Sequence, residues 1–395
     1  MKYMDLSIFM GKIYNFQLPK RIVFGTGSSS MVGLEAKALG GNRILLITDE
    51  NLRSSGLIKN VEKNLLSEGL SIDIFSDIRA EPSLEDAERV AEKTRGGGYD
   101  LIVGIGGGSV LDMAKVASIA STNRKPMRQY IGVNLVVKPG LPKILMPTTA
   151  GTGSEVTHVA VITLLDEEAK SAIISPYLFS DESIVDPKLT YSMPPRVTAS
   201  TGLDALSHAF EALMAVSANP ITDTLALQSI EIIFKYLSRA YRSGDEESRF
   251  GMSLGALMAG MAFINSWVCL GHALAYSFSV TYRVPHGLSC GLSLPYAFKF
   301  NAPAIRHKLP QIAEKIDASY RENVKSPDDL ERFIFNKIME LLDELNAPKR
   351  LREIGVSESD LGKIASKVLT FKRLIEKNSR ALSEDDAHRL VMDMW

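Results

Sequence analysis

Four side chains in the second half of the chain have the types and spacing of a metal site. Asp204 and His208 lie four residues apart in TGLDALSHAFEA. On a helix that spacing sets them ~40° apart around the axis and ~6 Å along it, so both can face one ion. His272 and His286 follow, on either side of a short segment containing Tyr282, Pro285 and Gly287. His272 comes just after the apolar run Leu254–Leu270, inside the charge-free stretch between Arg249 and Arg283. Ionisable groups in such surroundings are costly unless paired or metal-bound. Asp204 and His208 alone would fit two satisfied core residues. Two further histidines in the most apolar part of the chain move the reading to a divalent metal site. His158, His307 and His388 have no partner spacing and read as structural or exposed.

A second candidate site lies in the first half. Gly104-Ile105-Gly106-Gly107-Gly108-Ser109 follows a buried strand pattern and opens a helical one. Glycines there let the backbone approach a bulky anion, and the free N–H groups of a helix start bind phosphate. Ser109 is placed to act as N-cap with Asp112 at N3. A tight ligand-free turn needs fewer glycines than the run Gly106, Gly107 and Gly108. The usual dinucleotide fingerprint has a glycine where Ser109 stands and an acid ~20 residues later. Here the candidate ribose-binding acid is Asp49, at the end of an earlier strand, which reads equally well as a helix N-cap. An acid there would bond a ribose hydroxyl and repel a 2′-phosphate. A polar loop, Thr148-Thr149-Ala150-Gly151-Thr152-Gly153-Ser154-Glu155, follows the strand pattern Lys143–Pro147 and adds hydroxyls where open α/β sheets bind ligands.

The elements that must position these residues change character along the chain. Strand patterns at Arg43–Thr48, Ser71–Phe75, Asp100–Ile105 and Lys143–Pro147 alternate with helical ones around Leu57–Leu66, Leu84–Lys93 and Val110–Ser121. That alternation implies βαβ units and a mostly parallel sheet. From about Pro194 the pattern is helical throughout: Ser200–Val216, Asp223–Tyr241, Arg249–Trp267 and Asp328–Leu345. The Pro-rich stretch Asp186–Pro195 marks the boundary. The expected architecture is an α/β dinucleotide-binding domain, residues 1–190, and an all-helical metal-binding domain, residues 191–395, with the reaction in the cleft between them.

Composition excludes other classes. Of the 395 residues, 45 are Lys or Arg and 46 Asp or Glu, and 45 − 46 leaves a net charge of −1. Nucleic-acid binding needs clustered cations, so no nucleic-acid partner is expected. Cys269 and Cys290 are too few for a disulfide framework, and their spacing matches no zinc or redox motif. A reducing cytoplasm fits. Met1–Gly11 carries no sustained apolar segment of a signal peptide. Leu254–Leu270 is long enough to span a bilayer, but Gly255, Gly260, Asn265 and Ser266 interrupt it. It reads as a buried core helix, and no membrane partner is expected.

At these residues the sequence resembles the iron-containing (group III) alcohol dehydrogenase family. GGGSVLDMAK (106–115), PTTAGTGSE (147–155), IVDPKL (184–189), GLDALSHAFEA (202–212), NPITD (219–223) and GHALAY…VPHG (271–287) stand in the family's order and spacing. The architecture implied is the one shared with dehydroquinate synthase. The resemblance implies that Asp204, His208, His272 and His286 hold a divalent metal. It implies dinucleotide contacts at Gly107, Gly108, Ser109, Thr148 and Thr149, with Gly106, Asp112 and Thr152 beside them. Lys170 matches a cofactor-contacting lysine through a looser local alignment. Asp49 stands where NAD-preferring members carry an acid, which favours NAD over NADP.

The implied activity is hydride transfer between NAD(P)(H) and a small alcohol or aldehyde, with the metal as Lewis acid. Four protein ligands leave no tetrahedral vacancy but leave room on a six-coordinate ion, which favours Fe(II) over Zn(II). Many members carry a second histidine four residues after the third ligand. Here that residue is Tyr276, whose ordinary pKa near 10 makes it a poor base at neutral pH. It is either a substrate or ribose contact or a packing aromatic. Phe263 and Trp267 join it as candidate pocket residues. The alternative within the same superfamily is a polyol dehydrogenase or a lyase, glycerol dehydrogenase-like or dehydroquinate synthase-like. The resemblance also points to a homo-oligomer, a dimer or larger.

Overall fold

A computed structural model describes residues 9–167, 169–322, 324 and 326–395. Residues 1–8, part of the Met1–Gly11 stretch considered for targeting, lie outside the described residues. The chain divides into two compact units, Leu18–Met193 and Pro194–Trp395, the latter joined by residues 9–17. That N-terminal stretch therefore groups with the helical unit, although it precedes the α/β one.

The first unit is built on β1 (Arg21–Phe24), α1 (Val32–Ala38), β2 (Arg43–Ile47), α2 (Glu50–Ser55), α3 (Lys59–Ser67), β3 (Ser71–Phe75), α4 (Leu84–Gly97), β4 (Leu101–Gly106) and α5 (Gly108–Ala120). It continues with β5 (Gly132–Val133), β6 (Lys143–Pro147), β7 (Val159–Leu164), β8 (Ala169–Ile174) and β9 (Glu182–Val185). Six strands form one parallel sheet in the order β1-β9-β6-β4-β2-β3. Its central strands are buried on both faces, hence their near-continuous apolar sequence. Alternate residues serve opposite faces: Leu45, Ile102 and Leu145 join one core, and Ile44, Val103 and Met146 the other.

From β2 the chain moves outward to β3, and from β4 it moves the other way to β6. The carboxyl ends of β2 and β4 therefore form the switch point where open α/β sheets bind ligands. Asp49 follows β2, and the glycine run follows β4.

A second sheet, β5-β8-β7, holds the antiparallel β7–β8 pair. The sequence pattern missed it and the short strands β1 and β9. Four-residue strands give little periodicity to read, and the β7–β8 turn lacks the Asn-Gly or Asp-Gly signal of a tight hairpin.

The GGGSVLDMAK motif is tied down from its far end. Lys115 is fully buried, and its ammonium donates to Asp112 Oδ1 (3.2 Å), Ser154 Oγ (2.7 Å), Thr157 Oγ1 (3.0 Å) and the Val159 carbonyl (2.7 Å). One cation thus clamps α5 to the Thr/Gly loop and to β7. IVDPKL does similar structural work. Asp186 accepts from the backbone of Gly27 and Ser29 and holds the turn after β1.

The second unit is helical: α6 (Pro195–Met214), α7 (Pro220–Arg242), α8 (Glu246–Ser266), α9 (Leu270–Ser279), α10 (His286–Asn301), α11 (Leu309–Ile316), α12 (Pro327–Glu344), α13 (Leu361–Thr370), α14 (Lys372–Ile375) and α15 (Glu384–Met394). Pro195 starts α6 at its first turn, where its missing N–H costs nothing. NPITD is an N-terminal signal: Asn219 caps α7 with Thr222 in a capping box, and Asp223 pairs with buried Lys308 at 2.7 Å. The apolar stretch Leu254–Leu270 is interrupted. Between α8 and α9 the axis bends by 104°, with Trp267 in the left-handed region at φ 78°, and among the described residues no single helix is long and apolar enough to cross a membrane.

Removing the Lys115 charge leaves Asp112 buried without its cation. We expect Lys115→Met to cost about 3–5 kcal/mol of stability, as broken buried pairs do. Thermal and urea unfolding will measure it, and an unchanged midpoint would show that the clamp is dispensable.

Candidate metal centre and dinucleotide loops

The helical unit brings Asp204, His208, His272 and His286 together from α6, α9 and α10. The Nε2 atoms of His286, His208 and His272 lie 3.5, 3.7 and 3.9 Å from Asp204 Oδ1. Asp204 is buried, and its Oδ1 has no hydrogen-bond partner. These separations are too long for hydrogen bonds and suit donors sharing one cation. A buried carboxylate oxygen left without a donor is the expected mark of a cation site, so the residues fit a divalent metal. Asp204, His272, His286 and Cys290 form a set whose donor atoms all lie within 4.8 Å of one another. His208 stands at its edge, its ring stacked on His272 (5.0 Å between centroids) and on Phe263 (4.1 Å). The His286 side chain is 25% exposed against 2% for His272, so access from solvent is on the His286 side.

Small residues permit this convergence. A Cβ on Gly287 would come 1.9 Å from the Ser200 carbonyl oxygen, and one on Gly291 would come 2.8 Å from Leu203. Glycines at both positions let α10 lie directly on α6, bringing His286 to Asp204. A Cβ on Gly271 would meet Glu211 Oε1 at 2.7 Å. That glycine lets Glu211 reach the start of α9.

There Glu211 Oε2 accepts from the Cys269 and His272 amides, at 2.6 and 3.3 Å, and Oε1 accepts from His272 Nδ1–H at 2.5 Å. Burial alone would push the Glu211 carboxyl up, but its contact with His272 and these three donors outweigh it and hold it below the ordinary range. With Nδ1 engaged, the Nε2 lone pair of His272 is left for the metal.

Tyr276 packs edge-on to His272 (5.8 Å), stacks with His286 (5.4 Å) and leans on Phe371 (5.7 Å). Burial pushes its phenol up to about 12. It stays neutral through the working range of most enzymes, able to donate a hydrogen bond but not to act as base.

In the α/β unit the two loops meet. The Thr148 N–H donates to the Gly106 carbonyl at 3.0 Å. A Cβ on Gly106 would strike Val110 at 2.5 Å, and one on Gly108 would strike Thr152 at 2.7 Å, so packing alone requires both glycines. Gly107 differs, since a Cβ there would meet only Thr149, at 3.5 Å. The protein leaves room at Gly107, as close approach of a ligand demands.

Two expectations need correcting. Gly107, not Ser109, is the N-cap of α5, and it has no side chain to cap the helix. The first amides are thereby left to an anion. Asp112 forms no capping box. Its oxygens take Lys115, Ser154 Oγ (2.6 Å) and the Val161 amide (2.9 Å), which is scaffolding. Ser109 Oγ instead accepts the Glu81 amide at 3.1 Å, and Glu81 Oε1 pairs with Lys170 at 3.2 Å. Glu81 sits at φ 54° and links Lys170 to the glycine loop, a connection absent from the sequence reading. Asp49 caps α2 through the Leu52 amide at 3.0 Å and also stands at the switch point, so its two readings are compatible.

Family models decide the identity. The model described as iron-containing alcohol dehydrogenase matches residues 19–187, and that of the family's C-terminal part matches residues 198–395. The chain belongs to the iron-containing alcohol dehydrogenase family. It is 38% identical over 386 residues to long-chain-alcohol dehydrogenase 1 of Geobacillus thermodenitrificans, covering 93% of this chain and 94% of that one. Its fold is similar to the crystal structure of a 1,3-propanediol oxidoreductase, at a TM-score of 0.93 and 32% identity over 97% of this chain and 100% of the other. Sulfoacetaldehyde reductase from Bifidobacterium kashiwanohense, solved with NAD+, is similar at a TM-score of 0.86 and 28% identity, over 97% and 99% of the chains.

For a member of this family, two site residues escaped the sequence reading. Glu211 lies seven residues after Asp204 on α6, and Cys290 lies four after His286 on α10. Both obey the helical spacing that flagged Asp204 with His208. Glu211→Gln should weaken metal binding about 10–100-fold, as loss of a partner to a ligating imidazole does. Chelator-competition titration measures it, and unchanged affinity would remove Glu211 from the site.

Proposed function

We propose that this oxidoreductase interconverts a small alcohol and its aldehyde with NAD(H), using one Fe(II) held by Asp204, His208, His272 and His286, with Zn(II) the second choice. The observation that carries the proposal is the Asp204 carboxylate oxygen, buried without a hydrogen-bond donor and ringed by three imidazole nitrogens. When bound, the ion would supply Lewis acidity at a substrate oxygen and the nicotinamide would accept or give the hydride.

The chain's own residues set the conditions for that chemistry. Asp204 supplies the negative charge of the donor set. Glu211 fixes His272 with its proton on Nδ1. The half-buried Phe263, packed on His208, limits water on that side. Tyr276 offers a neutral phenol.

On the α/β unit, Gly106, Gly107, Gly108 and Ser109 present the open helix start to the pyrophosphate, with Thr148, Thr149 and Thr152 alongside. Lys170 reaches the same loop through Glu81. Asp49, at the end of β2, favours NAD over NADP by repelling a 2′-phosphate. The NAD+ bound to the Bifidobacterium reductase supports the same preference. The relatives' names span long-chain alcohols, 1,3-propanediol and sulfoacetaldehyde, all oxidoreductase substrates, which disfavours the lyase reading. Two free, buried cysteines agree with a cytoplasmic enzyme. Exposed Val133, Leu135 and Val137, beside the edge strand β5, offer an apolar surface for a homo-oligomer of two or more copies.

The decisive experiment is metal analysis of anaerobically purified protein, combined with NADH- and NADPH-linked turnover over alcohols and aldehydes. We expect one equivalent of iron and faster turnover with NADH. No metal, with no turnover after adding Fe(II) or Zn(II), would defeat the proposal. His272→Ala should lose the metal and turnover yet still bind NAD by calorimetry, because the glycine loop belongs to the other unit. Tyr276→Phe should lower kcat by no more than about 10-fold, less than loss of a general base typically costs. With a phenol pKa of about 12, the pH–rate profile between 6 and 10 should keep its shape. Loss of a titration step in that variant would make Tyr276 the base.

A further inference from the structure

Cys290 lies one turn after His286 on α10 and is 1% exposed. A buried cysteine ordinarily behaves as a small apolar side chain. This one faces polar atoms. Its Sγ is 3.6 Å from His286 Nε2 and 3.7 Å from His272 Nε2. It is also one of the four groups, with Asp204, His272 and His286, whose donor atoms all lie within 4.8 Å of one another. Two ligands on opposite sides of one ion, with metal–sulfur and metal–nitrogen bonds of about 2.3 and 2.1 Å, stand about 4.4 Å apart. Sulfur therefore falls within the span of a single coordination shell. The second observation is independent of the thiol: Asp204 Oδ1 is buried in the same cluster with no hydrogen-bond partner. The other cysteine makes the contrast, since Cys269 Sγ has the Glu211 backbone carbonyl as its contact, at 4.0 Å.

We infer that Cys290 is a sulfur donor to the metal, giving this chain a carboxylate–imidazole–thiolate site. The inference rests on reading the cluster as a divalent metal centre. On binding, a metal–sulfur bond forms, the S–H bond breaks and its proton leaves to the buffer, with no change of oxidation state. Asp204, His272 and His286 would share the ion with Cys290, and His208 stands at the edge of that set. The soft donor shifts selectivity toward iron, cobalt and zinc and away from magnesium and manganese.

The test is anaerobic titration of the metal-stripped, full-length protein with Co(II), read by absorption from the near-ultraviolet through the visible. We expect one equivalent to bind with a sulfur-to-cobalt charge-transfer band. The band should persist in Cys269→Ser and vanish in Cys290→Ser while Co(II) still binds and shows its visible ligand-field bands. The chain has two cysteines, so the band in Cys269→Ser can come only from Cys290, and the assignment holds even if Cys290→Ser does not fold. One equivalent of Co(II) bound with ligand-field bands alone would overturn the inference and leave the metal centre standing. No Co(II) binding by the wild-type protein would overturn the metal centre itself, and Cys290 with it.

Discussion

The helical unit depends on a carboxylate oxygen to which the chain gives no donor. Asp204 is buried where α6 meets α9 and α10, and three imidazole nitrogens approach its Oδ1 without bonding it. An unsatisfied buried polar atom costs about 1–3 kcal/mol, and more when charged. Three side-chain hydroxyls or amides in place of the imidazoles would have removed that cost. The imidazole nitrogens instead stand 3.5–3.9 Å from that oxygen, a spacing that a shared cation would bridge. The surrounding apolar helices deepen the cost of the bare carboxylate and equally deepen the attraction for the ion.

Convergence on that point constrains the backbone more than the side chains. Imidazoles are short reaches, so the helices carrying them must nearly touch. Gly287 and Gly291 allow α10 onto α6, and Gly271 allows Glu211 under α9. The break between α8 and α9 serves the same end. A straight continuation would carry His272 away from α6, whereas the 104° bend turns the start of α9 back toward Glu211. The charge-free stretch that resembles a membrane span is thus a core helix and a site helix joined at a corner.

Much of this was legible in sequence because helical spacing is a strong constraint. Asp204 with His208 is an i, i+4 pair, and its placement on one face of α6 follows from geometry alone. The same rule extended to i+7 reaches Glu211, and applied to His286 reaches Cys290. Both were passed over because a glutamate on an amphipathic helix and a lone cysteine usually have bland explanations. The parallel sheet was legible at β2, β3, β4 and β6, whose apolar runs are long enough to read. Strands β1 and β9 are short, and the β7–β8 pair lacks a strong turn signal. The misassigned cap at Ser109 has a definite cause. A serine before an apolar run is the usual N-cap signal, but here the helix begins two residues earlier, at Gly108 with Gly107 as its N-cap. The Glu81 link between Lys170 and Ser109 spans long sequence separations, which local pattern does not encode.

Each unit, taken by itself, stores the opposite kind of electrostatic demand. In the helical unit Asp204 and Glu211 bring two formal negative charges beside a stretch without a charged residue from Arg249 to Arg283. They flank His272, one toward each ring nitrogen, so the imidazole transmits the charge of Glu211 to the centre that Asp204 faces. A divalent ion offsets more of this buried negative charge than a monovalent ion would. In the α/β unit the demand is reversed. Gly107 caps α5 with no side chain, so the helix start keeps its N–H groups and positive dipole end for an anion. The buried ammonium of Lys115 lies deeper in the same loop system and is already spoken for by Asp112, Ser154 and Thr157. An anion at that loop would therefore meet backbone rather than a lysine. This accounts for glycines and hydroxyls, instead of cations, filling the two loops.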